Sequence, residues 1–168
     1  MNVIKKKARP KIIHRTEKTV IGWREWVSLP ALGIPSIKAK IDTGARTSAL
    51  HAFQIEPVIM RGSLKVRFAV HPLQKVERPE ITCIADVIDM RTVSDSSGKK
   101  EERFVINTPV RMGDSEWTIE VTLTDRKDML FRMLLGRTGI RGHMIVDPGR
   151  SFLGDKGLAH YYSRRRKK

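Results

Sequence analysis

Several protein classes are excluded by features that are scarce in this chain. Its 168 residues include one cysteine, Cys83, which rules out an internal disulfide and favours a reducing, cytoplasmic compartment. No apolar run reaches the roughly 18 to 20 residues that a membrane-spanning helix requires. The basic N-terminus is not followed by the apolar segment of a secretory signal peptide, so we expect no such signal. These absences predict a cytoplasmic protein without a membrane partner.

Two motifs of hydrolytic enzymes are also missing. There is no H-E-x-x-H, and the five histidines are scattered instead of spaced like zinc ligands. There is no G-x-x-x-x-G-K-[ST] loop for nucleotide phosphates. His51 lies close in sequence to the candidate catalytic segment described below, but a single histidine at a strand end is more often structural. We therefore expect no metal and no cofactor.

Positive charge is concentrated at the two ends of the chain. The formal net charge is +15; residues 1–18 hold seven Lys or Arg and one acid, and residues 164–168 are all basic. Basic arms of this kind can bind RNA, a ribosome or acidic protein segments, and Tyr161 and Tyr162 could stack on bases. The alternative is that the arms only keep the protein in solution. The central segment 19–163 is mildly basic.

Alternation of apolar and polar residues dominates the middle of the chain. Residues 64–70 and 117–123 alternate with a period of two, which predicts strands with one buried face. The apolar segments 81–88 and 104–106 predict further strands. Between these two segments, the polar residues 91–102 carry Asp95-Ser96-Ser97-Gly98 and predict a long hairpin.

These elements predict one all-β domain, a closed or partly closed β-barrel over residues 19–154. A chain of this length suits one domain with a hydrophobic core. A basic N-terminal arm at 1–18 and a basic C-terminal tail at 155–168 would flank the domain. One short turn of helix is expected over residues 137–142.

The segment with the clearest chemistry is Asp42-Thr43-Gly44-Ala45, which follows the alternating strand 37–41. The strand delivers a carboxylate to a tight turn, where glycine permits conformations closed to other residues and backbone N–H groups can bind the carboxylate. Asp-Thr-Gly alone is also a common β-turn. The preceding strand, the following Ala45 and the downstream Leu134-Leu135-Gly136-Arg137 favour the catalytic interpretation.

With these motifs the chain resembles the retropepsin-like aspartic proteases. More closely, it is similar to a bacterial and archaeal family formerly labelled putative ATP-dependent zinc proteases and better explained as retropepsin-like. The likeness covers residues 21–23, 40–51, 135–137 and 146–151. It implies a retropepsin-like (acid-protease) β-barrel in which Asp42 is catalytic, Thr43 and Gly44 form its supporting turn, and residues 91–102 form a flap over the substrate.

An aspartic protease uses two carboxylates around one water, one ionised as the general base and one protonated to polarise the scissile carbonyl. This chain has one Asp-Thr-Gly. Asp147-Pro148-Gly149 looks similar, but proline has neither the hydroxyl of threonine nor a backbone N–H, so we interpret it as a turn. The economical arrangement is a two-fold homodimer with one Asp42 from each chain.

The substrate is predicted to be an acidic peptide or protein. Ala45, Arg46 and Arg137 are the candidate substrate-binding residues, and a dimer would place four arginines around one cleft, where they could bind carboxylates in bidentate fashion. Alternatively, each arginine pairs with an acid of its own chain. Some members of the resembled family are linked to glutamate ligases and to the trimming of glutamate tails. Two other functions stay open, a zinc-dependent peptidase and a non-catalytic module that binds RNA, a ribosome or an acidic protein.

Overall fold

The computed structural model describes residues 17–165 and is built mainly of β-strands, which confirms the predicted β class. The strands and helices are β1 Thr19–Gly22, β2 Arg24–Leu29, β3 Ile34–Asp42, β4 Ser48–His51, β5 Phe53–Met60, β6 Ser63–Val70, β7 Ile81–Ser94, β8 Lys100–Met112, β9 Ser115–Thr124, β10 Met133–Gly136, α1 Arg137–Ile140, β11 Met144–Asp147 and α2 Tyr161–Arg165. Short 3₁₀ turns cover Pro30–Leu32 and Leu158–His160. Within residues 17–165 no helix has the length and hydropathy of a membrane-spanning segment.

Six strands form a closed ring in the order β2-β3-β10-β4-β9-β8, and Ser28 of β2 pairs with Arg111 of β8 to complete it. From β8 the sheet continues outward through β7, β6 and β5, while β1 and β11 form a separate parallel pair. Within the ring, β10 lies between β3, to which it is parallel, and β4, to which it is antiparallel. The end of β3, which carries Asp42, is therefore flanked by β10.

One hydrophobic cluster joins the ring to the outer strands β6 and β7. Its residues in β3 include Ile37, Ala39 and Ile41, which are at most 7% exposed. Successive side chains of a strand point to opposite faces. The same apolar positions that hold β3 in the core therefore turn Lys40 and Asp42 away from it, and these two are exposed and half-buried respectively.

The polar segment 91–102 forms the predicted hairpin, with β7 and β8 antiparallel up to the pair Ser94 and Lys100. Asp95 closes the turn, because its Oδ1 accepts the N–H groups of Ser97 at 2.8 Å and Lys99 at 3.0 Å. The hydrogen bond from the Ser97 hydroxyl is the main reason that the pKa of Asp95 is below its ordinary value. Gly98 has a φ of +83°, a left-handed conformation that favours glycine.

The segment after β11 packs back onto β3. The Tyr162 hydroxyl donates to the Ser36 carbonyl at 2.8 Å, and the Ser36 hydroxyl donates to the Leu158 carbonyl at 2.8 Å. Burial raises the pKa of Tyr162 to about 12. Most of the predicted N-terminal arm, residues 1–16, lies outside the described residues, as do the side chains of the basic run 164–168.

Candidate active site

Asp42 ends β3, and the turn that follows holds its carboxylate. The Asp42 Oδ1 accepts the N–H groups of Gly44 and Ala45, both at 3.1 Å. A Cβ on Gly44 would lie 3.3 Å from that same oxygen, so a side chain there would crowd the carboxylate. Within residues 17–165 no hydrogen bond reaches Oδ2. The turn therefore fixes one oxygen of a half-buried carboxylate and leaves the other available to a water or a substrate.

The Leu134-Leu135-Gly136-Arg137 segment packs directly against this turn. Gly136 is paired with Asp42 in the parallel β3–β10 ladder. A Cβ on Gly136 would lie 2.6 Å from the backbone carbon of Thr47, so glycine is needed for the two segments to approach this closely. The Gly136 N–H donates to the hydroxyl of the buried Ser48 at 3.0 Å. The downstream motif thus packs against the Asp-Thr-Gly loop and supports it.

The side chain of Arg137 is directed at the same loop. Its Nη1 donates to the Thr43 carbonyl at 3.0 Å, and its backbone N–H donates to the Ala45 carbonyl at 2.8 Å. The next residue, Thr138, donates its N–H and its hydroxyl to the Arg46 carbonyl at 3.0 and 2.8 Å. Four hydrogen bonds therefore join the start of α1 to the loop, and the Arg137 guanidinium holds the loop backbone.

The Arg46 side chain is exposed beside the loop, and its charge acts on Glu120 of β9. The pKa of Glu120 is below its ordinary value chiefly because Arg91 hydrogen-bonds its carboxylate, with a smaller contribution from the charge of Arg46. Arg91 bridges Glu120 at 2.6 Å and Asp89 at 2.7 Å. No carboxylate of the described residues forms an ion pair with Arg46 itself. Arg46 thus contributes a positive charge near the loop.

A cavity of about 390 Å³ is lined by Lys40, which lies two residues before Asp42 on the same face of β3. Its floor is a row of three residues, because Leu134 of β10 pairs with Lys40 of β3 on one side and with Ala49 of β4 on the other. Lys40 and Asp42 are two residues apart and point to the same face, so their Cα atoms are roughly 7 Å apart. The walls are formed by Trp23, Arg103, Thr124, Arg126, Met129, Leu130 and Phe131.

A larger groove of about 1240 Å³ lies elsewhere, beside the 3₁₀ turn that follows β2, residues 77–81 and the C-terminal helix. None of the residues predicted for the active site lines this groove. Its size alone assigns it no role.

His51 is buried at the far end of β4, where it pairs with Thr124 of β9 instead of approaching Asp42. Burial, followed by the charge of Arg132, lowers the pKa of His51, which keeps its imidazole neutral near pH 7. Its Nδ1 has no hydrogen-bond partner in the described part of the chain. Among residues 17–165 no three His, Cys, Asp or Glu side chains lie close enough together to hold one metal ion.

Sequence analysis did not identify Glu25, which supports the site. Its fully buried carboxylate accepts the N–H groups of Gly22, Leu153 and Gly154 at 2.6, 2.9 and 3.0 Å. These bonds hold the turn that carries Trp23, whose carbonyl accepts the Ile41 N–H at 2.8 Å. Its signal was its place in β2, where it shares a face with the buried Val27, because a carboxylate on a buried face must be hydrogen-bonded.

Sequence analysis also did not single out Lys40, which lines the cavity. Its signal was the alternation of β3, which predicts that Lys40 shares a face with Asp42.

A family model matches most of the described chain. It is the RimB-like model, described as "retropepsin-like aspartic endopeptidase RimB", and it matches residues 20–157. The matched range includes the Asp42 turn, the Gly136 segment and the hairpin of β7 and β8.

Curated relatives include three proteins named probable alpha-L-glutamate ligase. Those of Shewanella pealeana and Shewanella halifaxensis are both 44% identical to this chain, over 83% and 80% of it, and that of Desulfotalea psychrophila is 47% identical over 78%. These alignments cover 31%, 30% and 28% of the respective relatives. The chain thus spans less than a third of the length of these relatives.

A similar solved structure is the crystal structure of a Legionella pneumophila protein of unknown function. It is 28% identical, with a TM-score of 0.68, and the match covers 82% of this chain and 98% of that one.

Proposed function

Because the chain belongs to the RimB-like family of retropepsin-like aspartic endopeptidases, we propose that it is one subunit of an aspartic peptidase with Asp42 as its catalytic carboxylate. The observation that carries the proposal is how the two oxygens of this carboxylate are hydrogen-bonded. Two backbone N–H groups hold Oδ1 at 3.1 Å, and Oδ2 accepts no hydrogen bond from the described residues. A fixed carboxylate with one free oxygen is suited to bind and activate a water.

The second carboxylate of the mechanism would come from a second copy of the chain. Two aspartates that face each other across a two-fold axis share one proton, because like charges about 3 Å apart cannot both ionise. The ionised Asp42 would take a proton from the water, which attacks the peptide carbonyl. The protonated Asp42 would donate to the carbonyl oxygen. Collapse of the tetrahedral intermediate then breaks the C–N bond, and the leaving amine takes the proton that the first Asp42 removed from the water.

The loop residues have supporting roles in this proposal. Gly44 and Ala45 hold the carboxylate through their N–H groups, and Arg137 holds the carbonyl of Thr43. The exposed Thr43 hydroxyl, which has no hydrogen bond among the described residues, would be free to bond the partner subunit. Ala45 and the exposed Arg46 would border the substrate.

The hairpin of β7 and β8 would serve as the flap. Its tip, residues 95–101, faces residues 125–128 across a second cavity of about 720 Å³. Arg126 borders both this cavity and the one lined by Lys40. This position beside the proposed substrate cleft supports a covering role for the hairpin.

We propose glutamate-rich protein segments as the substrate class, with cleavage of a glutamyl peptide bond. The supporting observation is that the relatives are named probable alpha-L-glutamate ligases and that this chain matches less than a third of each. A ligase forms an amide bond to glutamate, and a peptidase hydrolyses such a bond. The buried, single Cys83 suits the proposed cytoplasmic location. Contact with RNA or a ribosome through the arms at 1–18 and 155–168 stays a prediction.

The test is cleavage of glutamate-rich peptides by the wild-type protein, by Asp42→Asn and by the wild type in EDTA. We expect activity that persists in EDTA and is lost in Asp42→Asn. Asp147→Asn is a matched control, because the Asp147 Oδ1 likewise accepts the Gly149 N–H, at 2.9 Å, in a turn at the end of a strand. This control is expected to keep full activity.

The opposite pattern, in which EDTA abolishes cleavage and Asp42→Asn retains it, would overturn the aspartic mechanism in favour of a zinc peptidase. Sedimentation velocity would test the second copy. Activity in a strictly monomeric protein would rule out the shared pair of carboxylates.

A further inference from the structure

We propose that Lys40 is a specificity-determining residue that binds the carboxylate of an acidic substrate side chain in the cavity that it lines. The inference rests on the proposed function, since it concerns substrate selection at the same site. It differs from the sequence-based prediction for Arg46 and Arg137, which lie on the loop and on α1 outside this cavity.

The position of Lys40 suits this role. It is exposed on β3, on the face that carries Asp42, and it lines the cavity together with its strand neighbour Leu134. A substrate side chain that binds Lys40 would belong to a peptide whose backbone lies about one two-residue strand repeat from the Asp42 carboxylate. A residue adjacent to the cleaved bond is therefore within reach of both groups.

The charges around the cavity leave Lys40 without an ion-pair partner among residues 17–165. Three cations line the cavity, and none of the described residues that line it is acidic. Arg103 is paired with Glu101 at 2.8 Å, and Arg126 is paired with Asp128 at 3.1 Å. No carboxylate of the described residues forms an ion pair with Lys40. A substrate carboxylate would supply the missing counter-charge.

The cation opposite Lys40 on the neighbouring strand is already engaged. Arg24 of β2 stands opposite Lys40 in the antiparallel pair. Its guanidinium lies 4.6 Å from the centre of the Trp23 ring and 4.9 Å from that of Phe152, and its Nε donates to the Ser151 hydroxyl at 3.2 Å. Lys40 is thus the cation that can turn towards a bound side chain.

The remaining walls suit the stem of a glutamate. Leu134 and Ala49 form an apolar floor, and Trp23 and Phe131 pack edge to face with ring centres 5.8 Å apart. Such walls can bury two methylene groups while the carboxylate reaches the Lys40 ammonium. Glutamine has nearly the same shape but no charge. A charge-assisted hydrogen bond is roughly twice as strong as a neutral one, so the pocket would distinguish the two.

The first experiment compares kcat/KM for peptides that differ only by Glu or Gln next to the cleaved bond. We expect the wild type to prefer Glu by about tenfold or more. Lys40→Gln should bring this ratio close to one, and Lys40→Arg should retain most of it. The ratio, unlike the rate itself, is not changed by a partial loss of folded protein.

Lys38→Gln is the matched control, since Lys38 lies on the same strand and face but has its ammonium 5.0 Å from the centre of the Trp26 ring, outside the cavity. It should leave the Glu to Gln ratio unchanged. An equal effect of Lys38→Gln and Lys40→Gln would mean that overall charge sets the preference, and this result would overturn the proposal.

The second experiment separates this inference from the proposed function. Binding of the same Glu and Gln peptides is measured by calorimetry to Asp42→Asn with and without the added Lys40→Gln substitution. Tighter binding of the Glu peptide that disappears without Lys40 supports the inference even if no peptide is cleaved. Equal affinity of both proteins for the Glu peptide overturns it even if cleavage depends on Asp42.

Discussion

Gly136 lies directly opposite Asp42 in the parallel β3–β10 pair, and a Cβ on Gly136 would come within 2.6 Å of the Thr47 backbone. The atoms in the way are backbone, which cannot turn aside like the end of a flexible side chain. The close approach of β10 to the loop after Asp42 therefore depends on this glycine. It also allows the Gly136 N–H to reach the Ser48 hydroxyl.

Gly136→Ala should therefore displace the loop. We expect the free energy of unfolding to fall by about 1–3 kcal/mol, typical of overpacking, together with a loss of peptidase activity. Urea denaturation and peptide cleavage measure the two effects. Gly157→Ala is the control, because its Cβ would meet the movable Asp155 carboxylate at 3.2 Å. Wild-type stability in Gly136→Ala would contradict the packing argument.

Arg137→Ala should lower cleavage of every peptide by a similar factor. The guanidinium holds the Thr43 carbonyl, so its loss loosens the loop that carries Asp42 and reduces kcat by about 10- to 100-fold. Arg141→Ala, an exposed arginine at the end of the same helix, is the control. A selective loss of activity on acidic peptides would instead assign Arg137 to substrate binding.

His51 should make the protein less stable in mild acid. Burial lowers its pKa in the folded state below the ordinary value of 6.5, so the unfolded chain binds the proton more readily. Above about pH 6.5 the imidazole is neutral in both states, so His51 has no effect on the pH dependence of stability there. As the pH falls from about 6.5 towards the folded pKa, protonation of the unfolded chain lowers the free energy of unfolding. Urea midpoints between pH 8 and pH 5 measure the slope. His51→Gln should flatten it relative to His160→Gln, and identical slopes would refute the assignment.

Cys83 should be unreactive in the folded protein. Burial raises the pKa of its thiol to about 12, and the Sγ–H donates to the Leu32 carbonyl at 3.3 Å. Because the thiolate is the nucleophile, a thiol reagent at pH 8 should modify the native protein at least about tenfold more slowly than the urea-unfolded protein. Ser115→Cys adds an exposed thiol as an internal reference. Equal rates for both thiols would contradict the burial of Cys83.

Local patterns accounted for several of the strands and turns. The alternation of Ile37, Ala39 and Ile41 predicted a strand that ends at Asp42, since two successive side chains of a strand cannot share a face. The glycine at position 98 predicted the turn of the long hairpin. The structure shows why a glycine is suited there, since its φ of +83° is left-handed and open chiefly to glycine. The short helix after Gly136 was predicted in the same way. These features depend on a few neighbouring residues, so they can be predicted without knowledge of the rest of the chain.

Contacts between distant segments required the tertiary structure. The pairing of Leu134 with both Lys40 and Ala49 creates the floor of the cavity, and a shift of one residue in that register would turn Lys40 to the other face. Alternation specifies which residues share a face but not which strand lies alongside, and that choice is made by packing of the whole ring. For the same reason the motif predicted that Arg137 lies near the site, while only the folded chain directs its guanidinium to the Thr43 carbonyl.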